Sequence, residues 1–280
     1  MENYIKIYNY TRFAIFAANI LAGLVLFYCQ MCRGKMAWFI RDIQLIPAHS
    51  HLIASMDSLI RAPKFLNWIA KLDKTLSVKS ITITDINWFS AKPDSNKLGF
   101  VKCTVDAIEI VSGKKVVSNI VFVRGDSVAV LIMVNVEVRV GRKTVIQEYV
   151  LLCEQMRLPS GGRLWEICAG MMDAEGGIAS VALKEVEEET GFVIKHKRDL
   201  IVLGSIYPSP GACDEEIHLY AWTTTISEPD FLMKQMKLFG NAMEGEEIKL
   251  LFMPIQEFKE KLSSIKDVKA ECAFHRFSQM

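Results

Sequence analysis

The hydrophobic positions of the chain change their period along its length, and each change predicts a different kind of element. Between residues 43 and 73 apolar side chains recur at helical spacing, and Pro63 stands where a helix can begin. From residue 78 to residue 150 apolar and polar residues alternate, and a run of turn residues lies at 92–99. This pattern predicts several strands joined by short connections, with a hairpin around 92–99.

Beyond residue 150 the pattern predicts strands alternating with helices. The runs VLLCEQMRLP and LWEICAG each predict one strand, and ASVALKEVEEET has a helical period that stops at Gly191, a usual left-handed cap. The remaining predicted elements are strands at 200–206 and 216–225, a helix containing Phe231, Met233 and Met236, a strand over IKLLFMPI and a last helix near 256–263. Because the alternation lacks the regular βαβ period, a mixed sheet flanked by helices is favoured over a doubly wound parallel sheet.

The composition indicates a folded protein with balanced charge. Hydrophobic residues make up 51% of the chain, and 33 basic against 32 acidic residues give a net charge of +1. A net charge this close to zero argues against binding of nucleic acid through a basic surface. Seven scattered cysteines predict reduced thiols, and the lone C-x-x-C of Cys29 and Cys32 is interpreted as inert. A polyanionic substrate would therefore be bound locally, by a metal ion and a few arginines.

The N-terminal segment allows three interpretations. Residues 13–29 are almost wholly apolar, interrupted by Asn19, and no acidic residue lies between Glu2 and Asp42. The segment fits a signal-anchor helix, an organelle-targeting presequence or a buried or non-native extension. Residues 13–32 are thus a candidate membrane contact, and the compartment stays open between the cytoplasm and an organelle such as a plastid or mitochondrion.

Several glutamates share one face of the helix that ends at Gly191. Glu185, Glu188 and Glu189 stand at i, i+3 and i+4, whereas Glu187 points elsewhere. Near a helix C-terminus each carboxylate costs about 0.3–1 kcal/mol. A compensating cation is therefore expected, and oxygen ligands without Cys or His favour Mg²⁺ or Mn²⁺ over zinc. The alternative is a solvated acidic face.

The segment at 170–192, GMMDAEGGIASVALKEVEEETGF, resembles the Nudix hydrolase box, G-x5-E-x7-R-E-U-x-E-E-x-G-U, in which U is a bulky apolar residue. The matching positions are Gly170, Glu185, Val186, Glu188, Glu189, Gly191 and Phe192. Two positions depart from the box, because Gly176 replaces a glutamate and Lys184 replaces an arginine. Neither departure removes the glutamate trio, so an active box is favoured over a degenerate one.

Outside the box, the chain is similar to ADP-sugar diphosphatases and ADP-ribose pyrophosphatases over about residues 50–275. The motifs that carry this resemblance are E-Q-x-R at 154–157, W-E-x-x-A-G at 165–170, S-P-G-x-x-x-E at 209–215 and a glutamate-rich loop at 244–247. Behind the apolar N-terminal segment (1–42), the resemblance implies a smaller strand-rich domain (43–125) and a Nudix α/β/α sandwich with a mixed sheet (126–280). It also implies a homodimer formed by the strand-rich domain.

The same resemblance implies roles for individual residues. Metal ions would be held by Glu185, Glu188, Glu189 and the carbonyl of Ala169. Glu246 would be the catalytic base, with Glu188 as a further catalytic carboxylate and Glu244 and Glu247 as alternatives to Glu246. The residues implied in substrate binding are Arg157 on the diphosphate, Glu166 and Glu215. Arg124 is a further candidate for binding the nucleotide, with an ordinary core or surface role as the alternative. For Glu166 an ion pair with Arg163 is the alternative.

The implied reaction is hydrolysis of ADP-ribose or ADP-glucose to AMP and a sugar phosphate. Two alternatives stay open at this point. One is hydrolysis of another nucleoside diphosphate derivative, such as a dinucleotide or NADH. The other is a nucleotide-sugar binding module whose box is inactive.

Overall fold

The computed structural model describes residues 27–32, 35–172, 177–240 and 247–280. The chain divides into two compact units. The first comprises Met1–Gly125 together with Ser209–Asp214, and the second comprises Asp126–Pro208 and Glu215–Met280. The short segment Ser209–Asp214 therefore belongs to the first unit, although its neighbours in sequence belong to the second.

The first unit is built on a mixed sheet. Its described strands, in their order across the sheet, are β1 (Phe27–Cys32), β2 (Lys35–Ile40), β3 (Ile43–Pro47), β4 (Leu76–Trp88), β5 (Leu98–Glu109) and β6 (Ile120–Val123). The pair β3–β4 is parallel and the other neighbours are antiparallel. Strands β4 and β5 form the hairpin predicted around 92–99. Strands β1 and β2 precede residue 43, where the strand-rich domain was expected to begin.

Two helices cover this sheet, α1 (Ile53–Leu59) and α2 (Pro63–Lys71). Helix α2 begins at Pro63, as predicted, because proline has no N–H to lose in the first turn. Phe65 and Ile69 of α2 are fully buried in the same cluster as Ile81 and Ile83 of β4. Burying a side chain of this size stabilises a fold by about 1.5–3 kcal/mol, so this cluster holds the helix on the sheet.

The second unit contains the longer sheet. Its described strands are β7 (Ser127–Val140), β8 (Lys143–Arg157), β9 (Gly162–Glu166), β10 (Cys168–Met171), β11 (Ile201–Ile206), β12 (Ile217–Ser227), β13 (Leu238–Phe239) and β14 (Ile248–Pro254). Its described helices are α3 (Ile178–Thr190), α4 (Glu228–Gln235), α5 (Ile255–Ile265) and α6 (Val268–Phe277). The strand order is β11–β12–β7–β8–β14–β13, with β10 paired to β7 and β9 to β8. Because β12 is parallel to β7 and the other pairs are antiparallel, the sheet is mixed, as predicted.

Strand β7 is buried on both of its faces. Val130 and Ile132 pack in a cluster that includes Val186 of α3, and Leu131, between them, packs in a second cluster with Phe258 of α5. Successive side chains of a strand point to opposite faces, so helices lie on both sides of the sheet. This arrangement confirms the α/β/α sandwich predicted for this part of the chain.

Two local predictions differ from the structure. The run LWEICAG forms two strands, β9 and β10, rather than one, and at the break the N–H of Ile167 donates to Asp267 Oδ2 at 3.0 Å. The helix expected near 256–263 is present as α5, and it is followed by a further helix, α6, that was not predicted. Lys266 ends α5 in a left-handed conformation (φ 61°), and Asp267 caps α6 by accepting from the Lys269 N–H at 3.0 Å. Long-range and capping contacts therefore decide both boundaries.

The predicted apolar segment at 13–32 overlaps the described residues at β1, and the rest of it lies outside them. Among the helices of the described ranges, none has the length and apolar character that a membrane crossing requires. The prediction of reduced thiols is confirmed for Cys103, Cys153, Cys168, Cys213 and Cys272, which are all free.

Candidate active site

Helix α3 carries the predicted glutamate face. It is anchored by Val181, Ala182 and Val186, and it ends at Gly191, whose φ of 65° is the left-handed cap expected from the sequence. The ammonium of Lys234 donates to the Thr190 carbonyl at 2.9 Å. A lysine thus lies at the negative end of the helix dipole, where a cation stabilises the helix.

Glu189 is the most deeply buried of the three predicted glutamate ligands, with 4% of its surface exposed. Its two oxygens are held from two different strands. Gln155 of β8 donates to Oε1 at 2.8 Å, and the Ala169 N–H of β10 donates to Oε2 at 3.2 Å. The carboxylate is therefore fixed beside the backbone of Ala169, whose carbonyl the family resemblance implied as a metal ligand.

Glu185, one helical turn before Glu189, is half-buried and lies against β10. Its carboxylate occupies the space beside Gly170 into which a Cβ would project, and a Cβ there would overlap the carboxyl carbon. The glycine at this position therefore permits the helix face and the strand to approach closely. Sequence comparison with the box placed a glycine here, and the structure supplies the physical reason.

Glu188 is more exposed than Glu185 and Glu189. It pairs with Lys184, Nζ to Oε2 at 3.2 Å, in an i, i+4 arrangement. An exposed pair of this kind contributes about 0.3–0.5 kcal/mol. The lysine that replaces the arginine of the box therefore still contacts a glutamate of the trio.

Arg157 and Glu166 form the centre of an ion-pair network. Arg157 Nε donates to Glu166 Oε2 at 2.6 Å, and Lys269 Nζ donates to Glu166 Oε1 at 3.1 Å. Lys269 Nζ also lies 2.8 Å from Asp267 Oδ1. Burial raises the pKa of the Glu166 carboxyl, but Lys269 and Arg157 together lower it more, so this pKa lies below the ordinary value. Glu166 is thus an ionised group between two cations.

Arg163 does not take part in this network. Its guanidinium instead lies 3.8 Å from Glu154, Nη1 to Oε2. The pairing of Glu166 with Arg163 that the sequence left open is therefore replaced by the pairing with Arg157 and Lys269.

The other predicted site residues lie elsewhere. Arg124 belongs to the first unit, where its backbone N–H donates to Asp214 Oδ1 at 2.6 Å. Glu215 belongs to the second unit, is buried, and accepts from Ser127 Oγ at 2.8 Å. Glu246 and the departing position Gly176 lie outside the described residues. The second unit thus brings together Ala169, Glu185, Glu188, Glu189, Arg157 and Glu166.

The groups around α3 fit a hard divalent cation. Carboxylate and carbonyl oxygens are the ligands that Mg²⁺ and Mn²⁺ prefer. Two thiols lie close by, but burial raises the pKa of Cys153 and Cys168 well above the ordinary value, and the Glu189 carboxylate raises it further. A thiol binds metal as its thiolate, so these protonated cysteines are not metal ligands. The ligands that remain are oxygens, and they fit the predicted Mg²⁺ or Mn²⁺.

Another group of acidic and histidine side chains lies at the start of β7 and β12. One ligand atom from each of Asp126, Glu216 and His218 lies within 4.8 Å of the others. The Glu216 carboxylate accepts from Ser205 Oγ at 2.6 Å and from the Tyr207 hydroxyl at 3.1 Å. These hydrogen bonds account for the position of Glu216, and we assign no metal to this group.

Sequence reasoning missed three residues that shape the site. Gln155 belongs to the E-Q-x-R motif, but no role was predicted for it. Its position two residues before Arg157 on a strand puts both side chains on one face, and this spacing is the signal that could have identified it. Lys269 and Asp267 lie about a hundred residues from Glu166 and Ile167, their partners. No local pattern signals contacts over such a distance.

Comparison with known proteins agrees with this geometry. Residues 126–272 match the model of the NUDIX domain. The chain is 32% identical over 220 residues to Nudix hydrolase 14, chloroplastic, of Arabidopsis thaliana, covering 72% of this chain and 66% of that protein. It is 34% identical over 128 residues to a GDP-mannose pyrophosphatase of Cronobacter sakazakii, covering 43% and 61%. It is also 34% identical over 112 residues to an ADP-ribose pyrophosphatase of Haemophilus influenzae, covering 37% and 48%.

The chain thus spans about half to two thirds of the length of these relatives. The NUDIX match covers more than half of the chain and includes the whole glutamate helix, β8 and β10. The family prediction made from the box at 170–192 is therefore confirmed: this chain belongs to the Nudix hydrolase family.

Proposed function

We propose that this protein hydrolyses the diphosphate bridge of an ADP-sugar, ADP-ribose or ADP-glucose, to AMP and a sugar phosphate. The observation that carries the proposal is the hydrogen bond from Gln155 to Glu189. It joins the strand that carries Arg157 to the helix that carries the glutamate trio. A cation site and an arginine suited to phosphate are thereby held in one unit.

Mg²⁺ or Mn²⁺ would be held by the carboxylates of Glu185, Glu188 and Glu189 and by the Ala169 carbonyl. When bound, such an ion offsets the negative charge of a diphosphate and polarises its phosphorus. The carboxylates are already oriented without the ion. Gln155 and the Ala169 N–H orient Glu189, and the absence of a side chain at Gly170 leaves space for Glu185. Preorganised ligands of this kind require little rearrangement on binding.

Arg157 would bind the diphosphate itself. Glu166 accepts from its Nε, which leaves the two terminal amino groups of the guanidinium for phosphate oxygens. A planar guanidinium can bind two such oxygens at once. Glu166 would then act on the substrate through Arg157, which it orients.

Glu246 is the proposed general base, on the strength of the sequence resemblance, with Glu244 and Glu247 as alternatives and Glu188 as a further catalytic carboxylate. Its carboxylate would take a proton from the attacking water. As the new bond from the water oxygen to one phosphorus forms, the bond from that phosphorus to the bridging oxygen breaks. The bridging oxygen keeps the electron pair and leaves with the second phosphate.

The choice of ADP-sugar rests on the motifs around the box, above all S-P-G-x-x-x-E at 209–215. A second candidate substrate is GDP-mannose, because a relative named GDP-mannose pyrophosphatase matches this chain as well as the named ADP-ribose pyrophosphatase does. A homodimer formed through the strand-rich unit, with Arg124 and Glu215 as further substrate contacts, completes the proposal.

The test is nucleotide release with Mg²⁺ from ADP-ribose, ADP-glucose and GDP-mannose in parallel. Glu189→Gln is expected to abolish release, because it removes a ligand charge while keeping the shape of the side chain. Glu187→Gln is the matched control, since Glu187 lies on the same helix but is exposed and outside the trio. The control should retain wild-type activity.

The outcomes separate the alternatives. AMP release from an ADP-sugar that collapses in Glu189→Gln supports the proposal, and the faster substrate identifies the sugar. Preferential release of GMP from GDP-mannose would move the assignment to that substrate. No release from any of the three with Mg²⁺ or Mn²⁺ would refute the proposed reaction. Tight binding of ADP-ribose without turnover would then favour a binding module.

A further inference from the structure

Lys269 is a nearly buried lysine that contacts the site from the C-terminal helix. About 13% of its side chain is exposed, and its ammonium lies between Glu166 Oε1 (3.1 Å) and Asp267 Oδ1 (2.8 Å). Burial lowers the pKa of Lys269, but Asp267 and Glu166 together raise it more, so the ammonium stays charged. Lys269 is thus a largely buried cation whose position is fixed by two carboxylates.

The turn before α6 fixes the position of Lys269. Lys266 adopts the left-handed conformation that ends α5, and Asp267 then caps α6. Asp267 also accepts the N–H of Ile167 at the break between β9 and β10. One aspartate therefore fixes both the start of the helix and the backbone beside Glu166, and Lys269 follows two residues later.

The charges of the network determine how well Arg157 can bind an anion. Arg157 and Lys269 contribute two positive charges, and Glu166 and Asp267 contribute two negative charges. Without Lys269 the same group would carry a net negative charge, and Glu166 would lose the cation that binds its Oε1. Both oxygens of Glu166 would then be open to the guanidinium of Arg157, and a guanidinium bound by both oxygens is less able to bind a diphosphate.

We propose that Lys269 is a positioning residue of the diphosphate site, which holds Glu166 so that Glu166 binds the Nε edge of Arg157 and leaves its terminal amino groups for phosphate oxygens. This inference rests on the proposed function and extends it to a residue of the C-terminal helix. Lys269 acts through Glu166 and Arg157, and it is assigned no contact with the substrate.

A double-mutant cycle tests this role. Lys269→Met is compared with wild type, and the same change is made in an Arg157→Met background, with kcat and KM measured for the substrate that the wild type hydrolyses fastest. Lys261→Met is the matched control, because Lys261 forms an exposed pair with Glu257 on α5. Lys269→Arg, which keeps the charge, is the rescue variant.

In the wild-type background Lys269→Met is expected to lower kcat/KM about tenfold or more, mainly through KM, since a charge-assisted phosphate contact is of that size. Lys269→Arg should recover most of this loss, and Lys261→Met should have no effect. In the Arg157→Met background Lys269→Met should change kcat/KM less than about twofold, because coupled residues are not additive.

Equal losses in the two backgrounds would overturn the proposal, since they would show that Lys269 acts independently of Arg157. Should Lys269→Met fail to fold, Lys269→Gln replaces it in the same cycle, because its amide removes the charge but can still donate to a carboxylate. Inactivity of the wild type itself would instead refute the proposed function, so the two failures are distinguishable.

Discussion

The carboxylate of Glu185 lies beside the α-carbon of Gly170, in the space that the Cβ of any other residue would occupy. The contact joins helix α3 to strand β10, whose Ala169 also donates to Glu189. A side chain at residue 170 would meet the end of a flexible glutamate rather than rigid backbone. The relationship therefore concerns the position of a proposed metal ligand, Glu185, more than the stability of the fold.

Gly170→Ala is expected to lower kcat/KM about 100-fold, because a ligand displaced by about 1 Å can cost that much. The free energy of unfolding should change by less than about 1 kcal/mol, since the carboxylate can move aside. Gly162→Ala is the control, because a Cβ there meets no atom within 4 Å. Steady-state kinetics and denaturant unfolding of both variants check this prediction, which fails if Gly170→Ala keeps full activity.

Gln155→Met is expected to weaken metal dependence, because Gln155 orients Glu189 by donating to Oε1. Loss of a residue that orients a metal ligand typically costs about 10–100-fold in metal affinity or activity. The Mg²⁺ concentration for half-maximal activity should therefore rise by that order. Gln147→Met, an exposed glutamine on the same strand, should leave it unchanged. Equal Mg²⁺ dependence of the two variants would contradict the role given to Gln155.

Gly191→Ala is expected to destabilise the protein by more than Gly141→Ala does. Both glycines have positive φ, 65° and 63°, and an L-residue in this conformation costs about 1–2 kcal/mol. A Cβ at Gly141 meets nothing within 4 Å, whereas a Cβ at Gly191 would lie 2.6 Å from Cε1 of Phe239. Denaturant midpoints measure the difference, and equal losses would show that the Phe239 ring moves aside freely.

Lys269→Met should lower the free energy of unfolding by about 3 kcal/mol or more near neutral pH, because it breaks a buried ion pair. The pKa of Glu166 is lowered from 4.5, so its contribution to stability is present above that value and lost as pH falls through the folded pKa. The pKa of Lys269 is raised from 10.5, so its contribution is present below that value and lost as pH rises through the folded pKa.

The stability difference between wild type and Lys269→Met is therefore expected to be largest between about pH 5 and about pH 10. It should narrow as the pH falls below 4.5 and through the lowered pKa of Glu166, because the protonated carboxyl no longer pairs with Lys269. Urea unfolding at several pH values measures this difference. A difference that does not change with pH would show that packing, rather than charge, accounts for the effect of Lys269.

Local sequence determined the elements of the site and much of the fold. The spacing of Glu185, Glu188 and Glu189 places them on one helix face whatever surrounds the helix, since a helix repeats every 3.6 residues. Gly191 marks the end of that helix because a left-handed cap favours glycine. The hairpin at 92–99 and the start of α2 at Pro63 follow equally from short-range backbone preferences.

The tertiary structure alone decided how these elements meet. It joined Gln155 to Glu189 and Glu166 to Lys269, and it grouped Ser209–Asp214 with the first unit. Such contacts depend on strand order and on the packing of helices against both faces of the sheet. Those properties arise from interactions between distant segments, whereas periodicity records only what each segment prefers by itself.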